Sequence, residues 1–185
     1  MTASLSRTLN AIGLLAVCLV LLVAFVDQIA FGDLPCPLCL LQRAGFVGAA
    51  FGLALNVKFG PRPSHYAIVI LSAFCGGLIS GRQTLLHIVP GTGTYGDALL
   101  GLHFYSWALV LFCVIILGCG LMLLFDQQFA GDNRPLGARA ATFGLAMVVL
   151  GFLLAFGNGA STVLECGGGL CPDNPTSYQL FQKGP

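Results

Sequence analysis

The chain has 185 residues, of which 57% are hydrophobic and only 8% are charged, and its formal net charge is +1. Soluble globular domains carry roughly 25% charged residues, so this composition, with a mean hydropathy of +0.90, excludes that class. No cluster of basic residues indicates binding to nucleic acid. The length fits one compact domain, and the composition predicts an integral membrane protein.

Five apolar stretches predict five membrane-spanning helices, because about 20 apolar residues cross the bilayer core at about 1.5 Å per residue. Their approximate ranges are 10–31, 40–57, 66–89, 105–125 and 140–157. Arg7 before the first stretch is also typical of a signal peptide, but four further spans favour a retained anchor. We therefore predict an all-α integral membrane protein, a bundle of about five transmembrane helices over residues 1–157. A tail over residues 158–185 follows it.

The positive charges favour a cytoplasmic N-terminus. In that orientation five Lys or Arg residues lie inside and three outside: Arg7, Lys58, Arg62, Arg134 and Arg139 against Arg43, Arg82 and Lys183. Because the number of spans is odd, the C-terminal tail then lies on the outer face. The segment between the first two spans lies on that same face.

Eight cysteines fall into two groups. Four lie within predicted spans, where a free cysteine packs as a small apolar residue: Cys18, Cys75, Cys113 and Cys119. The other four form two close pairs on the predicted outer face: Cys36 with Cys39, and Cys166 with Cys171. Four thiolates could form a zinc site, but an exported face favours disulfides over reduced thiolates.

The tail pair, Cys166 and Cys171, encloses three glycines, which let a short ring close with little backbone strain. One interpretation is a structural disulfide, although so small a loop removes little chain entropy and therefore stabilises weakly. The other is an exposed disulfide that undergoes exchange.

The first pair stands in "LPCPLCLLQRAG", directly before an apolar run. Cys39 falls in the first helical turn, whose positive end favours a thiolate, and Pro35 and Pro37 restrict the backbone around Cys36. Arg43 follows Cys39 by four residues, so the two share a helix face. An arginine at membrane depth costs about 2.5–3.5 kcal/mol and usually has a partner. That partner would be the Cys39 thiolate or a carbonyl oxygen of an apolar electron acceptor, unless the side chain reaches the lipid headgroups.

Three stretches resemble the bacterial disulfide-bond-formation protein B (DsbB) family: "PCPLCLLQRAGF" (35–46), "SGRQTLLHIVPG" (80–91) and "GLHFYSWALVLF" (101–112). In that family a four-helix bundle of the bacterial inner membrane re-oxidises a periplasmic thioredoxin-fold (DsbA-like) protein and passes the electrons to a quinone. The resemblance implies that Cys36 and Cys39 are the quinone-coupled pair. It also implies that Arg43 and His87 bind the quinone, either ubiquinone or menaquinone, and that the tail is periplasmic.

The chain departs from the family pattern by adding a fifth span to the four-helix core and by the position of its second cysteine pair. Family members carry their second cysteine pair in a long outer loop between the third and fourth spans, whereas this loop has no cysteine. We expect the tail pair to replace it, on a flexible tail that moves between the soluble partner and the first pair. A partner thiolate would reduce Cys166–Cys171, a tail thiolate would attack Cys36, and the Cys39 thiolate would then donate to the quinone.

Other classes of function use the same residues. A disulfide reductase would carry electrons outward, and a five-span bundle with two outer cysteine pairs is also similar to the vitamin K epoxide reductase class. A metal-binding membrane protein would use the four outer cysteines as ligands, and a purely structural protein would use them in two stabilising disulfides. Arg82 could bind the acceptor or pair with Asp97, but we favour contact with lipid phosphates or a structural role.

Overall fold

The computed structural model describes residues 1–89, 91–93, 98–130 and 138–181. Its long helices are α1 (Ala3–Val26), α2 (Pro37–Phe59), α3 (Pro63–Leu86), α4 (Phe104–Leu123) and α5 (Ala138–Cys166). All five are long and apolar enough to cross a membrane. The predicted all-α membrane fold with five spans is confirmed.

Short elements connect and extend these helices. A π-helical turn (Asp27–Phe31) continues α1, and 3₁₀ turns occupy Asp126–Phe129 and Gln179–Phe181. Before α4, strands β1 (Ala98–Leu99) and β2 (Leu102–His103) form a small antiparallel hairpin. The hydropathy pattern did not predict this hairpin, because two-residue strands leave no periodic signal.

Helix α2 starts at the first cysteine pair. Cys36 is its N-cap, and the Cys36 Sγ accepts a hydrogen bond from the Cys39 backbone N–H at 3.1 Å. Pro37 occupies the first helical position, where its missing N–H costs nothing. The predicted position of Cys39 in the first helical turn is therefore confirmed.

Helix α5 runs to Cys166 rather than ending near residue 157. The polar residues that the sequence analysis assigned to the tail are helical, and their side chains bond back to their own helix. Asn158 Nδ2 donates to the Leu154 carbonyl and Thr162 Oγ1 donates to the Asn158 carbonyl, each at 2.9 Å. Gly167, with φ of +60°, follows the last helical residue, as is usual at a helix end. The tail thus starts at Gly167, and the predicted boundary at residue 158 is wrong.

The helices pack around α2, which contacts α1, α3 and α5, while α4 packs on α3. Small residues allow α2 and α3 to approach closely. A Cβ on Gly52 would lie 2.9 Å from the His65 carbonyl oxygen, and one on Gly45 would lie 3.0 Å from the Gly76 Cα. Such contacts are typical of helices that associate within a membrane.

The interior of the bundle is apolar in its middle. The rings of Phe46 and Phe112 stack with centroids 4.1 Å apart. Of the four free cysteines, Cys18 and Cys119 are buried, whereas Cys75 and Cys113 are exposed on the outer faces of their helices.

A buried polar network closes the end of the bundle where α1 begins. Ser6 Oγ donates to Gln128 Oε1 at 2.7 Å, Asn10 Nδ2 donates to the Tyr66 hydroxyl at 2.7 Å, and Asn56 Nδ2 donates to Asn10 Oδ1 at 2.9 Å. These partners satisfy groups that would be costly to bury alone. The opposite end of the bundle carries the four outer cysteines.

Candidate redox-active site

Both predicted cysteine pairs form disulfides, Cys36–Cys39 and Cys166–Cys171. The first pair is at the start of α2 and the second at the end of α5. Because five antiparallel spans place the start of α2 and the end of α5 together, both disulfides lie at one end of the bundle. This agrees with the placement expected from the odd number of spans.

A glutamine of α3 contacts both sulfurs of the first pair. Gln83 Nε2 donates to Cys36 Sγ at 3.4 Å and to Cys39 Sγ at 3.7 Å. Gln42 Nε2 of α2 donates to Gln83 Oε1 at 2.6 Å and so fixes the direction of the amide. An N–H donor aimed at sulfur stabilises a thiolate more than a neutral sulfur, so Gln83 favours the reduced state of this pair.

The two sulfurs of the first pair differ in exposure. Cys36 is 6% exposed, whereas Cys39 is half-buried. The sequence analysis expected Cys36 to be the outer sulfur because it lies one turn further from the membrane centre. The assignment of Cys36 as the sulfur attacked by the tail stays a prediction.

Arg43 binds the end of α1. Its Nη1 donates to Gln28 Oε1 at 2.6 Å and its Nη2 donates to the Ala24 carbonyl at 2.9 Å. The guanidinium carbon lies 5.8 Å from the centroid of the Phe25 ring, within range of a cation–π contact. The alternative in which Arg43 extends to the lipid headgroups is therefore wrong.

Gln28 connects Arg43 to the part of the chain that carries the second disulfide. It lies in the π-helical turn and is almost completely buried. While its Oε1 accepts from Arg43, its Nε2 donates to Ser161 Oγ of α5 at 2.7 Å and to the Tyr178 hydroxyl at 3.0 Å. The tail is thus bound to the bundle in this structure, rather than free as the sequence analysis expected.

The second disulfide is partly hidden. Cys166 is 5% exposed and Cys171 is half-buried, so the expected fully exposed disulfide is wrong for Cys166. The preceding residue, Glu165, is completely buried, and neither carboxylate oxygen has a hydrogen-bond partner among the described residues. The sequence analysis missed Glu165, Gln28 and Gln83. For Glu165 the available signal was its position directly before Cys166, whereas Gln28 and Gln83 are not close in sequence to Arg43 or to either cysteine pair.

A cavity of about 440 Å³ lies between α1, α2 and α4. Its polar lining includes Cys39, Gln42 and Arg43, and most of the remaining lining is apolar, including Phe46, Phe104, Trp107 and Leu111. The volume lies within the range of roughly 300–1,000 Å³ for small-molecule sites. A quinone head group is an apolar ring whose carbonyl oxygens only accept hydrogen bonds, and Arg43 has five N–H donors. Two of these make the bonds to Gln28 and Ala24, so the residues present fit a quinone.

His87 and Arg82 are less directly placed. His87 Nδ1 lies 3.1 Å from the Gly93 carbonyl oxygen, and its ring centroid is 5.4 Å from that of Tyr105, which lines the cavity. Its quinone-binding role stays a prediction. Arg82 is exposed, and Asp97, its candidate partner, lies outside the described residues.

No group of three or more His, Cys, Asp or Glu side chains in the described part of the chain is placed to bind a metal ion. The four outer cysteines are instead used in two disulfides. The metal-binding alternative has no structural support here.

Five membrane-crossing helices with two disulfides at one end of the bundle define a multi-pass membrane protein with two cysteine pairs. The family model "Disulfide bond formation protein DsbB" matches residues 6–122, more than half of the chain. The chain belongs to this family. The matched range contains the first cysteine pair, Arg43 and His87, and it ends before α5 and the second pair.

Several relatives are named "Disulfide bond formation protein B". The protein of Marinobacter nauticus is 39% identical over 74 residues, 38% of this chain and 44% of the relative. That of Aromatoleum aromaticum is 36% identical over 84 residues, 43% of this chain and 51% of the relative. That of Xanthomonas euvesicatoria is 27% identical over 146 residues, 75% of this chain and 85% of the relative. The chain spans about half the length of the first two relatives, and no solved structure matches it.

Proposed function

We propose that the chain is a thiol oxidoreductase of the bacterial inner membrane. It re-oxidises a periplasmic thioredoxin-fold (DsbA-like) dithiol protein and passes the electrons through its two cysteine pairs to ubiquinone or menaquinone. The observation that carries this proposal is the cavity in which Cys39 and Arg43 occur together. Membership of the DsbB family supports it.

The first exchange takes place at the tail pair. A thiolate of the reduced partner attacks Cys171, the more exposed sulfur, the Cys166–Cys171 bond breaks, and Cys166 leaves as a thiolate. The partner's second thiol then displaces Cys171 from the mixed disulfide. The partner ends oxidised, and two electrons and two protons reside on the tail pair.

The second exchange reduces the first pair. A tail thiolate attacks the Cys36–Cys39 disulfide, and the displaced sulfur leaves as a thiolate that the Gln83 amide can stabilise. The second tail thiol resolves the new mixed disulfide and restores Cys166–Cys171. The position of both pairs at one end of the bundle makes this transfer possible within one chain.

In the third step the first pair is re-oxidised. A quinone bound in the cavity supplies the acceptor for two electrons and two protons. Arg43 would donate hydrogen bonds toward a carbonyl oxygen of the quinone, and Cys39 lines the same cavity. The apolar lining excludes water, which strengthens the electrostatic effect of the guanidinium.

Thiol trapping in membrane vesicles tests this relay. Wild-type protein, Cys39→Ser and a control, Cys113→Ser, are mixed with a reduced DsbA-like protein in the presence of quinone, and free thiols are trapped with a maleimide reagent. We expect both pairs to return to disulfides in the wild type and in the control, since Cys113 is an exposed free cysteine. In Cys39→Ser, Cys166 and Cys171 should accumulate as thiols.

Two results would contradict the relay. If Cys166 and Cys171 never become reduced in any variant, the tail pair takes no part in electron transfer. If added quinol instead reduces an oxidised partner, electrons flow outward and the chain is a disulfide reductase.

A further inference from the structure

Glu165 is a buried carboxyl group that the relay described above does not use. It occupies the last turn of α5, directly before Cys166, and its exposed fraction is 0%. Both of its carboxylate oxygens are without a hydrogen-bond partner in the described ranges. Such a group is rare in a native protein and indicates a special role.

The direction of the Glu165 side chain follows from the helix. Ser161 precedes Glu165 by four residues, so the two share one face of α5. That face meets the end of α1, because Ser161 Oγ accepts a hydrogen bond from Gln28. Gln28 in turn binds Arg43, so this face of α5 lies on the same side as the guanidinium. Glu165 therefore lies on the face of α5 that meets the end of α1, directly before Cys166 of the second disulfide.

Two opposing effects act on this carboxyl group. Burial without a hydrogen bond favours the neutral acid, whereas the positive charge of Arg43 favours the carboxylate. The other titratable groups that interact with Arg43 are Asp27 at the end of α1 and Tyr178 in the tail. A carboxyl group held between such influences is suited to exchange a proton within a site that excludes water.

We propose that Glu165 is the proton-exchanging residue of the tail pair, giving a proton to Cys166 when its disulfide is broken and taking it back when Cys166 must attack. This inference rests on the proposed relay. Neighbouring Cys166 is the more buried of the two tail cysteines, where water is least able to supply the proton.

The two proton transfers balance. When the partner thiolate bonds to Cys171, the Cys166–Cys171 bond breaks and the electron pair stays on Cys166, which receives the proton of Glu165. The resulting carboxylate faces Arg43. In the next exchange the carboxylate removes that proton, and the Cys166 thiolate attacks the Cys36–Cys39 disulfide. Glu165 is then neutral again, and the displaced sulfur carries the electron pair.

Rapid-quench measurement across a range of pH tests the inference in the full-length protein. Oxidised wild-type protein, Glu165→Gln and Glu165→Asp are mixed with a reduced DsbA-like protein, and the reduction of each cysteine pair is followed by thiol trapping. Thr162→Val is the control, because its hydroxyl lies in the same turn and bonds to its own helix. General acid–base catalysis contributes about 10²–10⁴-fold.

We expect Glu165→Gln to slow electron transfer from the tail pair to the first pair about tenfold near neutral pH. This effect is smaller than the full contribution of general acid–base catalysis, because some thiolate also forms without a base. The rate should recover at alkaline pH, where the thiolate forms without a base. Glu165→Asp should retain part of the rate, and Thr162→Val should match the wild type.

Infrared difference spectra between the disulfide and dithiol forms, with dithiothreitol as reductant, provide a readout that needs no partner. A carboxylic-acid band that changes with redox state in the wild type and is lost in Glu165→Gln would support the inference. A pH profile of Glu165→Gln that matches the wild type would overturn it while leaving the relay intact. If the wild type reacts with dithiothreitol but never with the partner, the proposed relay fails. A carboxylic-acid band that still changes with redox state in that case would keep the redox-linked proton on Glu165.

Discussion

The two disulfides occupy regions of different construction. The first closes the start of α2, where Gln83 contacts both sulfurs and Arg43 lies one turn away, and all of it falls within residues 6–122 matched by the family model. The second spans the end of α5 and a short tail whose contact with the bundle includes the Tyr178–Gln28 hydrogen bond. One pair lies at the start of a helix and contacts the neighbouring helix α3, whereas the other joins the end of a helix to the tail.

This difference supports a division of labour under the proposed relay. A pair fixed beside the cavity suits transfer to a small apolar acceptor, which requires a constant distance and a water-free environment. A pair at the end of a helix suits exchange with a soluble protein, because local loosening of the tail would expose it. Gln28 contacts both regions and therefore connects the two tasks.

The largest expected effect separates the two pairs completely. In the double variant Cys166→Ser, Cys171→Ser, quinone reduction driven by the DsbA-like partner should fall to background. Reduction driven by dithiothreitol, a small thiol able to reach the first pair directly, should persist. Quinone absorbance measures both activities, and the double variant Cys75→Ser, Cys113→Ser of exposed free cysteines is the control. Partner-driven activity that survives the loss of the tail pair would break the division of labour.

An intermediate effect is expected for Arg43, which binds Gln28 and lines the cavity. Arg43→Gln should raise the KM for a soluble quinone about 10- to 100-fold, because a hydrogen bond to a charged group contributes about 1.5–3 kcal/mol. Steady-state kinetics with dithiothreitol as donor measure this without involving the tail. Arg82→Gln is the matched control, since Arg82 is exposed. An unchanged KM in Arg43→Gln would remove Arg43 from the acceptor site.

The smallest expected effect concerns Gln83. Gln83→Leu removes the N–H that favours thiolate in the first pair. The reduction potential of that pair should become more negative by about 20–30 mV, corresponding to about 1 kcal/mol or slightly more. Titration against glutathione redox buffers measures both pairs in one sample, and Ser80→Ala, a buried position on the same helix, is the control. The Cys166–Cys171 potential should not move. A shift shared by both pairs would show that they are not independent.

Much of the fold was predictable because hydropathy is a local property. Each span can be recognised from its own run of apolar residues, and the proline after Cys36 predicts where α2 begins. The end of α5 was not predictable in the same way. Asn158, Thr162 and Glu165 resemble a polar tail when only their own chemistry is considered, yet they continue the helix.

The sequence by itself determined the membrane class, the number of spans, the two cysteine pairs and their location at one end of the bundle. Only the tertiary structure decided which polar side chains point inward. Arg82 and Gln83 are neighbours, but one is exposed and the other contacts two sulfurs. The physical reason is that the packing of α3 on α2 selects which helix face is buried. That packing depends on contacts between residues far apart in the chain, such as Gln42 with Gln83.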